Sequence, residues 1–279
     1  MNIPIEVAQQ LVKEQFPEWK DLPISSVLKN GNDNKTFHLG ETMTLRLPSD
    51  KRYVAQVEKE AKWLPLLAEN LDLPITCPKA LGKPNKDYPY FWSINSYIEG
   101  ETADSASISN LDVLANDLAE FLKQLQRINP EGAPVSGEHN FYRGSSPVVY
   151  NEEVEKVLEN LSDELPVKLI EKIWSESIES EWQEEPVWIH GDIAPGNLLV
   201  KENKLSGVID FGIMGIGDPS CDYAMAWTFF DESSRKIFLQ DLDQNTINRA
   251  RGWALWKALI TYDKQESKEV VKTIIDERV

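Results

Sequence analysis

Soft metal ligands are scarce in this chain: 279 residues contain two cysteines and three histidines. Cys77 and Cys221 are far apart and form no CxxC pair, which excludes a disulfide framework and a thiolate zinc site. His38, His139 and His190 lack the spacing of zinc ligands. No stretch approaches the roughly 18 consecutive apolar residues of a membrane span. Met1 to Trp19 has neither the basic nor the apolar region of a signal peptide, so a cytoplasmic chain is expected. Positive charge is also in deficit: 29 Lys and Arg face 46 Asp and Glu, a net charge of −17. Such a chain repels the phosphates of nucleic acid and of anionic lipid, so neither is expected as a partner. It attracts a cationic small molecule, although acidity also serves solubility.

What is present is a folded composition, 41% hydrophobic with nine tryptophans. The length allows one large or two modest domains. Residues 5–16 set Ile5, Ala8, Leu11, Val12 and Phe16 at helical spacing. The period then changes. Val27–Lys29, Thr36–Leu39 and Met43–Leu47 are short strand-forming runs, divided by Gly31-Asn32-Asp33-Asn34 and by Gly40-Glu41. Ala55–Asn70 reads as a helix that Pro65 bends or cuts, and Phe91–Ile98 as a further strand. Beyond it strands become rare. Leu111 to Ile128 is an amphipathic helix, and Pro130–Tyr150 a long loop. Residues 151–182 read as acidic helices. Val187–Ile189, Leu198–Val200 and Leu205–Ile209 are short strands, and the chain from Cys221 onward is helical. The lobe boundary falls near residues 95–101.

One stretch of about thirty residues concentrates the chemistry. His190-Gly191-Asp192-Ile193-Ala194-Pro195-Gly196-Asn197 follows a short strand, and Asp210-Phe211-Gly212 follows another. Phosphoryl transfer needs a carboxylate to orient the attacking hydroxyl, and oxygen ligands for magnesium. Asp192 supplies the base, Asn197 a neutral oxygen ligand five residues on, and Asp210 a charged one. Each acid alone would read as an exposed loop residue. His190 reads as a backbone-fixing group. The two aspartates would also serve a glycosidase, which needs neither the asparagine nor a cation on a strand.

This stretch resembles the aminoglycoside phosphotransferase family, the antibiotic-kinase branch of the protein-kinase-like fold. Members carry the histidine-glycine-aspartate loop, the asparagine five residues later, and the isoleucine-aspartate pair seen here as Ile209-Asp210, followed by Phe211-Gly212. Gly217-Asp218-Pro219 and Asp222 fit the same pattern. The resemblance implies an α+β, bilobal protein-kinase-like fold. Its small N-terminal lobe, residues 1–97, would be an antiparallel sheet plus helix that binds nucleotide. Its larger, mainly helical lobe, residues 98–279, would hold catalysis and substrate.

The resemblance further implies ATP or GTP and Mg2+ as cofactors, and a γ-phosphoryl transfer to a hydroxyl of a small molecule. That acceptor would be an aminoglycoside-like antibiotic or related, a macrolide, or a metabolic alcohol. A nucleotide-binding pseudokinase is the alternative, and the chain is expected as a monomer or homodimer. Asn32 and Asn34, in the turn between strands, would cover phosphates through backbone N–H groups. Arg46 would grip the α- and β-phosphates, oriented by Glu60 or, in competition, Glu58. Lysine is usual at that position, and arginine stays charged and grips phosphate bidentately. The Ser96 carbonyl and Ile98 amide would face the base, with Asn95 behind them. Asp218 and Asp222 read as braces or caps, Trp253 and Trp256 as core, and the acids from Glu176 to Glu185 as a solvated face.

Overall fold

Five strands of the first hundred residues pair into one antiparallel sheet: β1 (Ile24–Ser26), β2 (Asn34–Leu39), β3 (Met43–Pro48), β4 (Pro78–Gly82) and β5 (Trp92–Ser96), in the order β1-β2-β3-β5-β4. The computed structural model describes residues 3–27 and 33–278. Contacts divide the chain into two units, Met1–Gly100 with Gly207–Gly212, and Glu101–Ser206 with Ile213–Val279. A division by sequence at 97/98 leaves that six-residue segment with the second half, whereas contacts place it in the first unit.

In the first unit, strand parity sorts the side chains. Phe37, Leu39, Leu45 and Leu47 share a buried cluster with Ala8, Leu11 and Val12 of α1 (Ile5–Gln15) and with Trp92 and Ile94. Successive strand residues face opposite sides, so Thr44 and Arg46 lie on the other face, where Arg46 stands between Thr36 and Ser93. That face carries α2 (Val54–Glu69), which buries Val57, Glu60, Leu64 and Leu67. The helix runs through Pro65 rather than ending there. Pro65 is exposed and within the last turns, so it forfeits one backbone bond near an end. The first strand lies at Ile24–Ser26, ahead of the Val27–Lys29 run, of which Leu28 and Lys29 lie outside the described residues. The segment 207–212 is bound in by Val208 N–H to the Pro74 carbonyl (3.2 Å) and a parallel bridge between Ile75 and Val208.

The second unit is mainly helical. α3 (Leu111–Arg127) buries one stripe of leucines and is capped by the Asn110 side chain. α4 (Asn151–Asn160) and α5 (Val167–Ile178) lead to β7 (Val187–Ile189), and β6 (Glu101–Thr102), β8 (Leu198–Lys201) and β9 (Lys204–Val208) form a small sheet. β7 pairs antiparallel with β10 (Gly215–Gly217), Ile189 opposite Gly215. α6 (Met225–Thr228), α7 (Glu232–Leu239), α8 (Gln244–Ile260) and α9 (Gln265–Asp276) complete the unit. α8 is buried on most sides, from Arg249 to Leu259, as a helix at the centre of a bundle must be.

Asp231 caps α7, accepting the Ser234 N–H (3.0 Å) and hydroxyl (2.7 Å), and those bonds hold its carboxyl below the ordinary aspartate value. Asp231→Ala is expected to lower stability by about 1 kcal/mol in urea at pH 7. A depressed folded value makes this contribution complete above the ordinary pKa of about 3.9 and lost as pH falls through the folded one. The gap between the two proteins should therefore narrow toward pH 3; a gap constant from pH 7 to pH 3 contradicts the cap's charge dependence.

Candidate active site

Each unit carries one part of the proposed machinery. In the first, the Arg46 guanidinium is the organising group. Its Nη1 donates to Glu60 Oε1 at 3.1 Å and its Nη2 to Asp210 Oδ1 at 2.6 Å. Glu58, the competing partner, points to solvent. Burial opposes the Arg46 charge, but the carboxylates of Glu60 and then Asp210 outweigh it and hold the guanidinium protonated. Glu60 is 3% exposed, and burial raises its carboxyl above the ordinary glutamate value despite Arg46. Asp210 keeps 43% of its side chain exposed and sits at φ 66, so a left-handed backbone turns its carboxylate out of the strand line.

The other first-unit candidates lie around this group. Asn34 belongs to β2, opposite Pro48 and buried, rather than to the turn. Asn32 lies outside the described residues. Ser96 ends β5, giving its N–H to the Cys77 carbonyl at 2.9 Å and taking the Cys77 N–H on its hydroxyl at 3.0 Å. Ile98 follows, and a Cβ on Gly207 would lie 3.0 Å from its Cγ2. Asn95 is fully buried, and neither polar atom of its amide has a hydrogen-bond partner among the described residues.

In the second unit the loop after β7 is pinned from below. The buried Asp222 carboxylate accepts the N–H of His190 and of Gly191, both at 2.7 Å. Burial raises the Asp222 carboxyl, and His190 with the two N–H bonds pulls the other way. His190 is buried, and its Nδ1 takes the Asp192 N–H at 3.1 Å, the backbone-fixing part expected of it. Gly191 has φ 85, and a Cβ there would lie 2.6 Å from the Ile213 carbonyl oxygen, so only glycine fits. Asn197 Nδ2 donates to the Asp192 carbonyl (2.9 Å) and carboxylate (3.2 Å), which leaves the amide oxygen to face elsewhere.

Asp218 caps the turn Pro219–Tyr223 that carries Asp222, and it is paired with Arg249 at 2.7 Å, both side chains buried. The sequence reading of these aspartates as brace and cap describes what they touch. Trp253 and Trp256 are buried, and most of the acids from Glu176 to Glu185 are exposed. Arg143 escaped the sequence reading. Its Nε donates to the Gly191 carbonyl at 3.2 Å, and its guanidinium lies over Trp253 (4.7 Å) and Trp256 (4.9 Å). The available signal was a lone arginine amid aromatics in a stretch otherwise read as a connection.

Residues 26–259 match the phosphotransferase enzyme family. The chain belongs to that family. An aminoglycoside 3'-phosphotransferase of Escherichia coli is 28% identical over 150 residues, 52% of this chain and 55% of that relative; one of Salmonella typhimurium matches equally. The chain thus spans about half the length of the curated relatives it matches. Among solved structures, the GDP complex of aminoglycoside 2'-phosphotransferase-IIIa is similar with a TM-score of 0.71 and 19% identity, covering 98% of both chains. A macrolide 2'-phosphotransferase of Brachybacterium faecium gives 0.65 and 16%, covering 97% of this chain and 98% of that one. These likenesses establish the fold, the α+β protein-kinase-like architecture with a five-stranded antiparallel sheet and a mainly helical second unit.

Asp222→Ala in this phosphotransferase-family chain leaves two buried N–H groups without an acceptor. The expected loss is about 2–6 kcal/mol, from ~1–3 for each orphaned group, read as a lower urea midpoint. A midpoint within error of the parent's contradicts the pinning role.

Proposed function

We propose that this chain transfers the γ-phosphoryl group of ATP or GTP to a hydroxyl of an antibiotic-like small molecule, acting in the cytoplasm as a monomer or homodimer without nucleic acid or membrane. The observation that carries this reading is the fixed loop, in which Asp222, His190 and Asn197 together hold Asp192. A base held by its neighbours loses little freedom when substrate arrives. Asp192 accepts the hydroxyl proton as the new phosphate ester forms. Arg46, kept charged by Glu60, holds the α- and β-phosphates. The unmatched amide of Asn95 on β5 suits a site that receives the edge of a purine, and Ser96 ends that strand with Ile98 two residues beyond. Asn34, on β2, and Asn32 are the candidates for covering the phosphates.

The donor set fits magnesium. The Asn197 amide commits its nitrogen to Asp192, so its oxygen is the atom for a cation, and Asp210 offers a half-exposed carboxylate. Both are hard oxygen ligands, few in number, as magnesium shared with phosphates requires. Asn197 in the second unit and Asp210 in the first would each offer magnesium an oxygen ligand, and the metal, when bound, would supply charge neutralisation to the phosphates. With little covalent work for the protein to do, placement and charge carry most of the rate.

A second reading, a nucleotide-binding pseudokinase, has its own observation: the Arg46 guanidinium grips the Asp210 carboxylate itself, at 2.6 Å. The names of the relatives cover both aminoglycoside and macrolide phosphotransferases, so transfer is measured with one acceptor of each class.

Asp192→Ala is expected to lower transfer at least about a hundredfold, with the nucleotide dissociation constant by calorimetry little changed. Near-parental transfer by that variant overturns the base assignment. Nucleotide binding by the parent, with neither slow hydrolysis nor transfer to any alcohol, selects the pseudokinase.

A further inference from the structure

In the second unit, α6, α7, α8 and α9 leave a cavity of about 780 Å³ between them. None of its lining residues belongs to the loop after β7 or to the Arg46 group. Helix geometry brings α8 to it. Arg249 and Trp253 face Asp218 and Arg143. Arg251, two residues from each, lies about 200° around the helix from Arg249, and its guanidinium rests over the Trp227 ring of α6 at 5.1 Å. Arg251 and Arg235 of α7 are each 7% exposed, so two cations that line one cavity are removed from water.

One carboxylate stands between them, and both its oxygens are engaged elsewhere. Glu277, which follows α9, pairs through Oε1 with Arg235 Nε at 2.6 Å and accepts the Trp227 indole N–H on Oε2 at 2.7 Å. Arg235 also donates to the carbonyls of Ala226 (3.4 Å) and Phe230 (3.3 Å). Arg251 is left short. Its Nη1 donates to a neutral oxygen, Asn248 Oδ1, at 2.8 Å. Its buried Nε stands 3.8 Å from Glu277 Oε2, beyond hydrogen-bond range, and has no hydrogen-bond partner among the described residues. Burial opposes the Arg251 charge, Glu277 favours it and Arg235 opposes it again, and the group ends below the ordinary arginine value. A buried donor without an acceptor is costly. This one borders a cavity that Leu239, Leu242 and Ile247 also line.

We infer that this cavity is a binding site for a small organic carboxylate, whose charged end pairs with Arg251 and whose apolar body covers Leu239, Leu242 and Ile247. A carboxylate oxygen is the acceptor that Arg251 Nε lacks, and a charge-assisted bond is the strong kind. A single negative charge suits the lining, where among the described residues four cations face three acids, Glu232, Asp276 and Glu277. A dianion would meet those acids with charge to spare. The volume is that of a site for a metabolite-sized molecule.

The test uses the whole chain and para-fluorobenzoate, observed by fluorine NMR, with neutral para-fluorobenzyl alcohol as the control of similar shape. The parent should bind the benzoate with a dissociation constant of about 1 mM or tighter. It should bind the alcohol at least about tenfold more weakly, and ATP with magnesium should not displace the benzoate. Arg251→Gln should weaken the benzoate at least about tenfold, as loss of a hydrogen bond to a charged group implies. Glu277→Gln, which removes the competing carboxylate, should tighten it. An ion pair of purely structural purpose predicts the same direction for both substitutions. Absent benzoate binding, equal binding of the alcohol, or displacement by ATP overturns the inference in the parent chain alone, whether or not the variants fold. Benzoate binding unmoved by Arg251→Gln, or no tighter in a folded Glu277→Gln chain, overturns it as well.

Discussion

A guanidinium removed from water must be neutralised where it stands, and the Arg46 network follows from that constraint. Strand parity puts Arg46 on the sheet face away from the α1 core, where an unpaired cation would be costly. One carboxylate comes from α2, fourteen residues on, and the other from Asp210, 164 residues on. The second pairing requires the segment 207–212 to lie with the first unit, which the Pro74–Val208 bond and the Ile75–Val208 bridge arrange. The same network makes the nucleotide reading concrete, because phosphate oxygens are chemically what Arg46 already holds in carboxylate form.

The second unit solves a different problem, keeping a carboxylate on a loop in one orientation. Loops carry function but move more than the elements they join. Here the loop after β7 is fastened to buried groups of the same unit. Asp222 takes two of its N–H groups, Arg143 takes a carbonyl, and Asp222 itself rides on a turn fixed by the Asp218–Arg249 pair. The glycine at 191 is the conformational requirement that lets the chain turn over those anchors.

Much of this was legible from residue order. The helices at 5–16, 55–70 and 111–128 and the strands around Arg46 follow the apolar period, and the residues that the loop after β7 ties together, His190, Asp192 and Asn197, stand out as a set. The parts that escaped are those where period and propensity say little. β4, Pro78–Gly82, contains proline, lysine and glycine, and it is a strand because an edge position tolerates a residue without an N–H. β10, Gly215–Gly217, is two glycines around an isoleucine, chosen for close packing against Gly144 and Asn140 rather than for strand preference. Asn34 sits in β2 because pairing with Pro48 extends the hairpin beyond its apolar run. Arg143 was illegible because its partners are a backbone carbonyl and two tryptophans 110 and 113 residues away in sequence.

We propose that the Arg46–Asp210 pair is where nucleotide phosphate and a cation would bind. Calorimetric titration of the chain with ATP, once with magnesium and once with a chelator, tests it most directly. The account predicts binding that is at least about tenfold, or ~1.4 kcal/mol, tighter with magnesium, with that magnesium dependence gone in Asp210→Asn. ATP affinity that is the same with magnesium and with chelator, in the parent chain, would contradict it.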